Sequence, residues 1–311
     1  MINTFKYSNT NKRYHTFDYY LKNKYGCKVF KVALDGGFTC PNRDGKCGRG
    51  GCIFCGERGS GEHTKRISIA DQVNKHLQSY RGQRAGKFVV YFQNFTNTYD
   101  TIENLKQKYD QALVCDKIVG LAIATRPDCI DEAVAKLLAE YQKQGLYVWV
   151  ELGLQTTNDK VGKFINRGYS TQDFVDATKV LRKYNIDIVA HIMLGLPNEE
   201  ENDLQDAINF VNEQDIQGLK IHSTYVIEGT ALATLYKDGK YQPIQLDDYI
   251  EKVLNILQNI RPEIVVHRIT GDAPKDLLLA PSWSAHKKLV LNRIENIMAS
   301  ENLSQGANFK K

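Results

Sequence analysis

Six apolar, β-branched runs alternate with amphipathic helical stretches at roughly 25 to 35 residues per unit, and polar motifs gather just after the runs. This alternation predicts an α/β fold with a parallel sheet and right-handed crossovers. Polar strand ends favour a barrel over a doubly wound sheet. No GxGxxG or GxxxxGK(S/T) pattern follows any run, which argues against dinucleotide and P-loop folds. The predicted architecture is a partial (β/α)6 TIM-type barrel with parallel strands, an N-terminal helix and a C-terminal strand/helix extension.

Residues 1–27 form a basic helical extension. Tyr14, Phe17, Tyr20 and Leu21 recur at helical spacing between Asn11 and Lys24, and Gly26 ends the helix. The barrel, 28–245, opens with a strand from Lys28 to Leu34. Ser68 is a cap for a helix to Arg81, with Ile69, Val73 and Leu77 on one face. A second strand, Lys87 to Phe95, is apolar enough to be covered on both faces. A helix from Thr101 to Leu113 leads to a strand from Ile118 to Thr125. A helix from Asp131 to Gln144 then stops at Gly145, where a left-handed cap is expected. The strand Tyr147–Gln155, helix Thr171–Tyr184, strand Ile186–Gly195, helix Glu199–Asn212 and strand Gly218–His222 complete the alternation. Residues 246–311 supply a helix to Ile260, an extra strand from Glu263 to Ile269 and a closing helix from Ala285 to Ala299, an extension expected to pack on the barrel.

The 311 residues suffice for one large α/β domain, and 42% apolar and 25% charged residues are ordinary globular values. No long apolar run predicts a membrane span, and the polar, aromatic start has no secretory h-region. An odd number of cysteines, seven, favours metal binding over a disulfide framework and a cytoplasmic setting. The net charge of +5 is uneven: residues 1–35 and 285–311 are basic, and the body between them is slightly acidic. Basic flanks fit a polyanion gripped by both ends of the fold, and solvated surface lysines explain them equally well.

Four of the seven cysteines, Cys40, Cys47, Cys52 and Cys55, lie in DGGFTCPNRDGKCGRGGCIFCG (35–56). Cys52 and Cys55 form a CxxC pair. With Phe54 directly before the last cysteine, the segment resembles the cluster loop of the radical S-adenosylmethionine superfamily. Its long first gap departs from the usual CxxxCxxC spacing and resembles the branch containing the elongator catalytic subunit. GFTCPNRDG and GRGGCIFC, with TRPD (125–128), ELGLQ (151–155), NRGYS (166–170), HIMLGLP (191–197) and HRITGDAP (267–274), resemble more specifically the YhcC/YtqA-type family. A closed zinc tetrathiolate using Cys47 is the competing reading of the four thiols. Cys115 and Cys129 read as ordinary small side chains.

The resemblance implies a [4Fe–4S] cluster with Cys40, Cys52 and Cys55 as ligands, the fourth iron being left for S-adenosylmethionine. It further implies that Gln93 takes the methionine amino group, in the absence of the Gly-Gly-Glu motif usual at that strand end. Glu151 and Gln155, four apart on one strand, point to one side and are expected to take the ribose hydroxyls and the methionine moiety. Phe54, Met193 and Gly195 are expected near the cofactor, with adenine contacts at the Gly-Leu-Pro turn. Arg126 and His191 are the catalytic candidates. The bland alternatives are an ion pair between Glu151 and Arg126, a structural His191 and Met193 as core filler.

The resemblance also implies a substrate: tRNA at the anticodon, with the C5 side chain of the wobble uridine remodelled from carboxymethylaminomethyl to aminomethyl. Tyr225 or Trp283 would stack on a splayed base. A flavodoxin- or ferredoxin-type electron donor and a downstream methyltransferase are the implied partners. Radical chemistry on a small metabolite, as in oxygen-independent coproporphyrinogen oxidases, is the alternative enzyme. A non-catalytic, zinc-stapled RNA-binding protein is the alternative of another class.

Overall fold

The computed structural model describes residues 3–59 and 67–310. Seven strands form one parallel sheet: β1 (Val29–Leu34), β2 (Lys87–Phe92), β3 (Ile118–Thr125), β4 (Tyr147–Gln155), β5 (Asp187–Leu194), β6 (Gly218–Ser223) and β8 (Val265–Arg268). They pair in chain order from β1 to β8, and the curved sheet stays open between those two edges. The partial TIM-type barrel is thus present, and the extra strand 263–269 joins the sheet as its seventh member. A short antiparallel pair, β7 (Val226–Ile227) with β9 (Leu278–Ala280), was not foreseen. Neither were the helices Asp159–Phe164 and Ala231–Lys237.

Strand alternation divides the packing into two cores. Outward residues such as Val32, Val90, Leu121, Val150, Ile188 and Ile221 meet Val73, Leu105, Leu138, Phe174, Ile208 and Val253 from the covering helices. Inward, Val29, Val89, Tyr91, Ala122, Ala124, Trp149 and Val189 meet Phe17, Tyr20, Leu21 and Tyr25. The N-terminal helix therefore plugs the base of the lumen. Phe17 stacks on His267 at 3.9 Å between ring centroids and stands edge-on to Trp149 at 5.3 Å.

That helix runs from Phe17 to Tyr25 rather than from Asn11. Thr16 is its N-cap and also bridges Val266, whose N–H donates to the His15 carbonyl at 2.7 Å. His15 and Thr16 thus meet the β8 edge of the sheet at one point. Of the basic residues in this region, Lys12 pairs with Glu295, Lys22 and Lys28 pair with Asp18, and Lys31 points into the lumen beside Glu151. The helix expected from Glu199 starts at Asp203, because the Glu199 carboxylate closes the preceding turn by accepting from Gly195 and Leu196 N–H. No helix among the described residues is long and apolar enough to cross a membrane.

Candidate active site at the barrel mouth

The cysteine loop lies over the C-terminal ends of β4 and β5, held mainly by polar clamps. Asn42 Nδ2 donates to the Asn166 carbonyl (2.6 Å), and Asn166 Nδ2 returns to the Gly51 carbonyl (2.7 Å). Arg43 Nη2 donates to the Cys55 carbonyl (3.0 Å), and its stem occupies the space a Cβ on Gly51 would need. Ile53 N–H donates to Ile165 and its carbonyl accepts from Leu232, which ties the loop to both unforeseen helices. Ile53 and Phe54 pack against Val161, Ile165, Leu196 and Met193. Phe54 and Met193 thus border one apolar cluster, an arrangement compatible with the cofactor reading and with core filling alike.

The Cys52 thiol is hydrogen-bonded to Cys55 and lies within electrostatic reach of Cys40 and Arg126. The bond to Cys55 and burial push its pKa well up, against the pull of Arg126. Cys47 is exposed. Among the described residues no three Cys, His, Asp or Glu side chains converge on a point that one metal ion would fill. Neither a tetrathiolate nor a converged three-thiol set is thus seen among them; by donor type, three soft thiols on one short loop are a set of the kind iron–sulfur clusters take. Cys129 has its pKa pushed up to about 12 by burial and the Asp128 charge, which makes it a poor ligand.

Arg126 reaches the loop but not Glu151. Its guanidinium grips Asp128 with two bonds (2.9 and 2.7 Å), donates to the Arg167 carbonyl (3.0 Å) and lies 4.7 Å from the Tyr169 ring centre. The ion pair between Glu151 and Arg126 is thus replaced by one between Arg126 and Asp128. Arg167 of NRGYS is fully buried and donates to the Leu154 and Thr156 carbonyls (both 2.7 Å), fixing the end of β4.

Gln155 and Glu151 do not occupy equivalent positions. A register shift at Gly153 and a φ of 58° at Gln155 break the alternation. The Gln155 amide folds back over Gly153, where it and the Tyr169 hydroxyl would lie 2.5 and 2.8 Å from a Cβ, so a larger residue would displace both side chains. Gln155 Oε1 accepts from Tyr169 (2.7 Å) at the mouth. Glu151 lies deeper and is fully buried, contacting Lys220 directly, His191 Nε2 at 3.1 Å, Trp149 Nε1 at 3.2 Å and Lys31 at 3.6 Å. Burial alone would raise its pKa; Lys220, Lys31 and His191 overturn this and hold it well below the usual carboxylate range.

His191, on the same inward row, has its pKa lowered to about 4 by burial and Lys220, so the ring is neutral at neutral pH. Gln93 stands one residue past β2, its N–H on the Leu34 carbonyl at 3.2 Å. Gly195 has a φ of 80°, its N–H held by Glu199 and its carbonyl by the Tyr241 hydroxyl (2.6 Å). The buried Trp283 donates its indole N–H to the Ile244 carbonyl. Lys31, Lys220 and Arg268 were missed as lumen residues. Their signal was a cation inside an apolar strand, in VFKVAL and GLKIHS.

Comparisons with known proteins bear on the family and the fold. The Radical SAM superfamily model matches residues 44–211, and the Radical_SAM C-terminal domain model matches residues 216–300. The uncharacterized protein YtqA of Bacillus subtilis is 41% identical over 315 residues, covering 99% of this chain and 97% of that one. Protein YhcC of Escherichia coli is 38% identical over 268 residues, 86% of each chain. A tRNA uridine(34) acetyltransferase of Dehalococcoides mccartyi is 32% identical over 163 residues, 51% of this chain and 34% of that one. Among solved structures, the Elp3 of the archaeon Methanocaldococcus infernus, with an N-terminal deletion, superposes with a TM-score of 0.65 at 20% identity. That match covers 89% of this chain and 64% of that one, and supports the fold.

Proposed function

The chain belongs to the radical SAM superfamily and, within it, to the family of YtqA and YhcC. From that premise we propose that it cleaves S-adenosylmethionine reductively at a [4Fe–4S] cluster held by Cys40, Cys52 and Cys55. The product radical would serve to convert the carboxymethylaminomethyl group of a tRNA wobble uridine to aminomethyl. When bound, the cluster and S-adenosylmethionine supply a 5′-deoxyadenosyl radical that removes a hydrogen atom. The chain's own residues bind, orient and shield.

The observation that supports the reading is the seating of the cysteine loop: Phe54 and Met193 border one apolar cluster, and Tyr169, bonded to Gln155, lies within electrostatic reach of Cys52. Gln93, just past β2, and Gln155, at the end of β4, would contact the cofactor. Arg126, held by Asp128, adds positive charge beside thiolates without being free to move. A neutral His191 donating Nε2–H to Glu151 keeps Nδ1 as a proton acceptor. The similarity over half the chain to a tRNA uridine(34) acetyltransferase supports a wobble-uridine substrate. A flavodoxin- or ferredoxin-type protein in the cytoplasm would supply the electron, and a methyltransferase would act on the aminomethyl product.

Nucleoside analysis of tRNA from a strain lacking the protein tests the reading. Carboxymethylaminomethyl nucleosides are expected to accumulate and aminomethyl-derived ones to vanish. An unchanged wobble-uridine profile removes the assignment.

A further inference from the structure

The lumen beneath the mouth holds more positive than negative charge. Lys31 and Lys220 face Glu151, while Arg268 and Lys287 share Asp272, each at 3.9 Å. Asp272 is exposed and Lys287 half-exposed, so inside the lumen the buried Glu151 stands against Lys31, Lys220 and Arg268. His191, His222 and His267 stay neutral, their pKa values lowered first by burial. Burial and the neighbouring Lys31 and Arg268 also pull the Lys220 ammonium well below its usual range, against the pull of Glu151. A surplus cation this deep is stabilised by a bound anion.

Geometry places the surplus on the β6–β8 side. The register shifts between Leu219 and Lys220, so that Lys220 pairs with Arg268 and His267 is the extra residue. Such a bulge turns two successive side chains toward one side. His267 stacks on Phe17 in the floor, and Arg268 comes within electrostatic reach of Lys31, Lys220 and His222. His222 stands 5.5 Å from His191, and its buried Nε2 has no hydrogen-bond partner among the described residues. Lys31, His191 and Arg268 keep 28%, 20% and 29% of their side-chain surface exposed, so solvent reaches the space they border.

We propose that Arg268, Lys220 and His222 form an anion clamp that takes the terminal carboxylate of the substrate's side chain. Among the anions of the proposed substrate, the carboxylate stands at the tip of a slender chain, whereas each backbone phosphate is flanked by a sugar on both sides. Arg268 offers the planar donor pair that carboxylates accept. The clamp rests on the proposed function and deepens it. Carboxymethylaminomethyl carries a carboxylate and aminomethyl does not, so the site holds the substrate and lets the product go.

Cluster-loaded wild type, Arg268→Gln and Arg268→Lys proteins test it in two arms. In the first, melting is compared in sodium acetate and sodium chloride at equal ionic strength. Acetate is expected to stabilise the wild type and Arg268→Lys, and not Arg268→Gln. No acetate-specific gain in the wild type overturns the clamp. The second arm measures binding of anticodon stem-loops bearing either nucleoside. The wild type is expected to prefer the carboxymethylaminomethyl loop about tenfold, Arg268→Gln to lose the preference, and Arg268→Lys to recover part of it. A preference that survives in Arg268→Gln overturns the clamp and leaves the substrate reading intact. An acetate effect without preference between the loops supports the clamp as an anion site and removes the wobble-uridine substrate.

Discussion

The cysteine loop and the lumen floor are fastened by opposite means. The floor is aromatic: Phe17, Trp149 and His267 lock together with the N-terminal helix. The loop is held largely by side chains bonded to backbone carbonyls, from Asn42, Asn166 and Arg43. Packing stabilises a region regardless of small shifts, whereas hydrogen bonds fix positions and contribute little net stability. The stable part of the molecule is thus the part that does no chemistry. The loop is defined in position yet contributes little to whether the chain folds.

Replacing a proposed ligand should separate the two regions most sharply. Cys40→Ala, Cys52→Ala or Cys55→Ala is expected to abolish cluster binding and S-adenosylmethionine cleavage, with the melting temperature of the metal-free protein unchanged. Cys47→Ala is expected to retain both, as iron and sulfide analysis would report. At the lumen the order reverses. Glu151→Leu leaves Lys220 and Lys31 buried without their carboxylate and should cost about 3–5 kcal/mol in urea denaturation.

The pH dependence sharpens the contrast further. His191 titrates at about 4 in the folded chain against an ordinary value of 6.5, and His222 and His267 shift the same way through burial. The unfolded chain takes up protons that the folded one refuses, so stability present above pH 6.5 is lost as pH falls toward 4. His191→Gln should flatten that slope in pH-dependent melting. The smallest effect is expected at the clamp: Asn166→Ala should lower stability by about 1 kcal/mol but hasten iron loss to a chelator.

Much of the barrel was legible because burial on both faces forces continuous apolar runs; β3 and β4 lie within the predicted bounds, Ile118–Thr125 and Tyr147–Gln155. The helix at Asp159–Phe164 and the β7–β9 pair are too short to establish a period, and their stability comes from contacts with the cysteine loop and the C-terminal segment. Glu151 was legible as an inward carboxylate. Its partners were not, because Lys31 and Lys220 are distant in sequence and a lone lysine in a strand usually reads as an exposed one. Gln155 was placed on Glu151's row by simple alternation, which a bulge undoes without any sequence signal beyond Gly153.

The contact of His15 and Thr16 with the far end of the chain has a consequence for how the protein is made. His15 N–H donates to Gln305 Oε1 across 290 positions, and Thr16 borders Val266. His15 and Thr16 must therefore wait without these partners until synthesis has passed Val266 and Gln305. Until then the lumen has no seal on that side, and its cations face water.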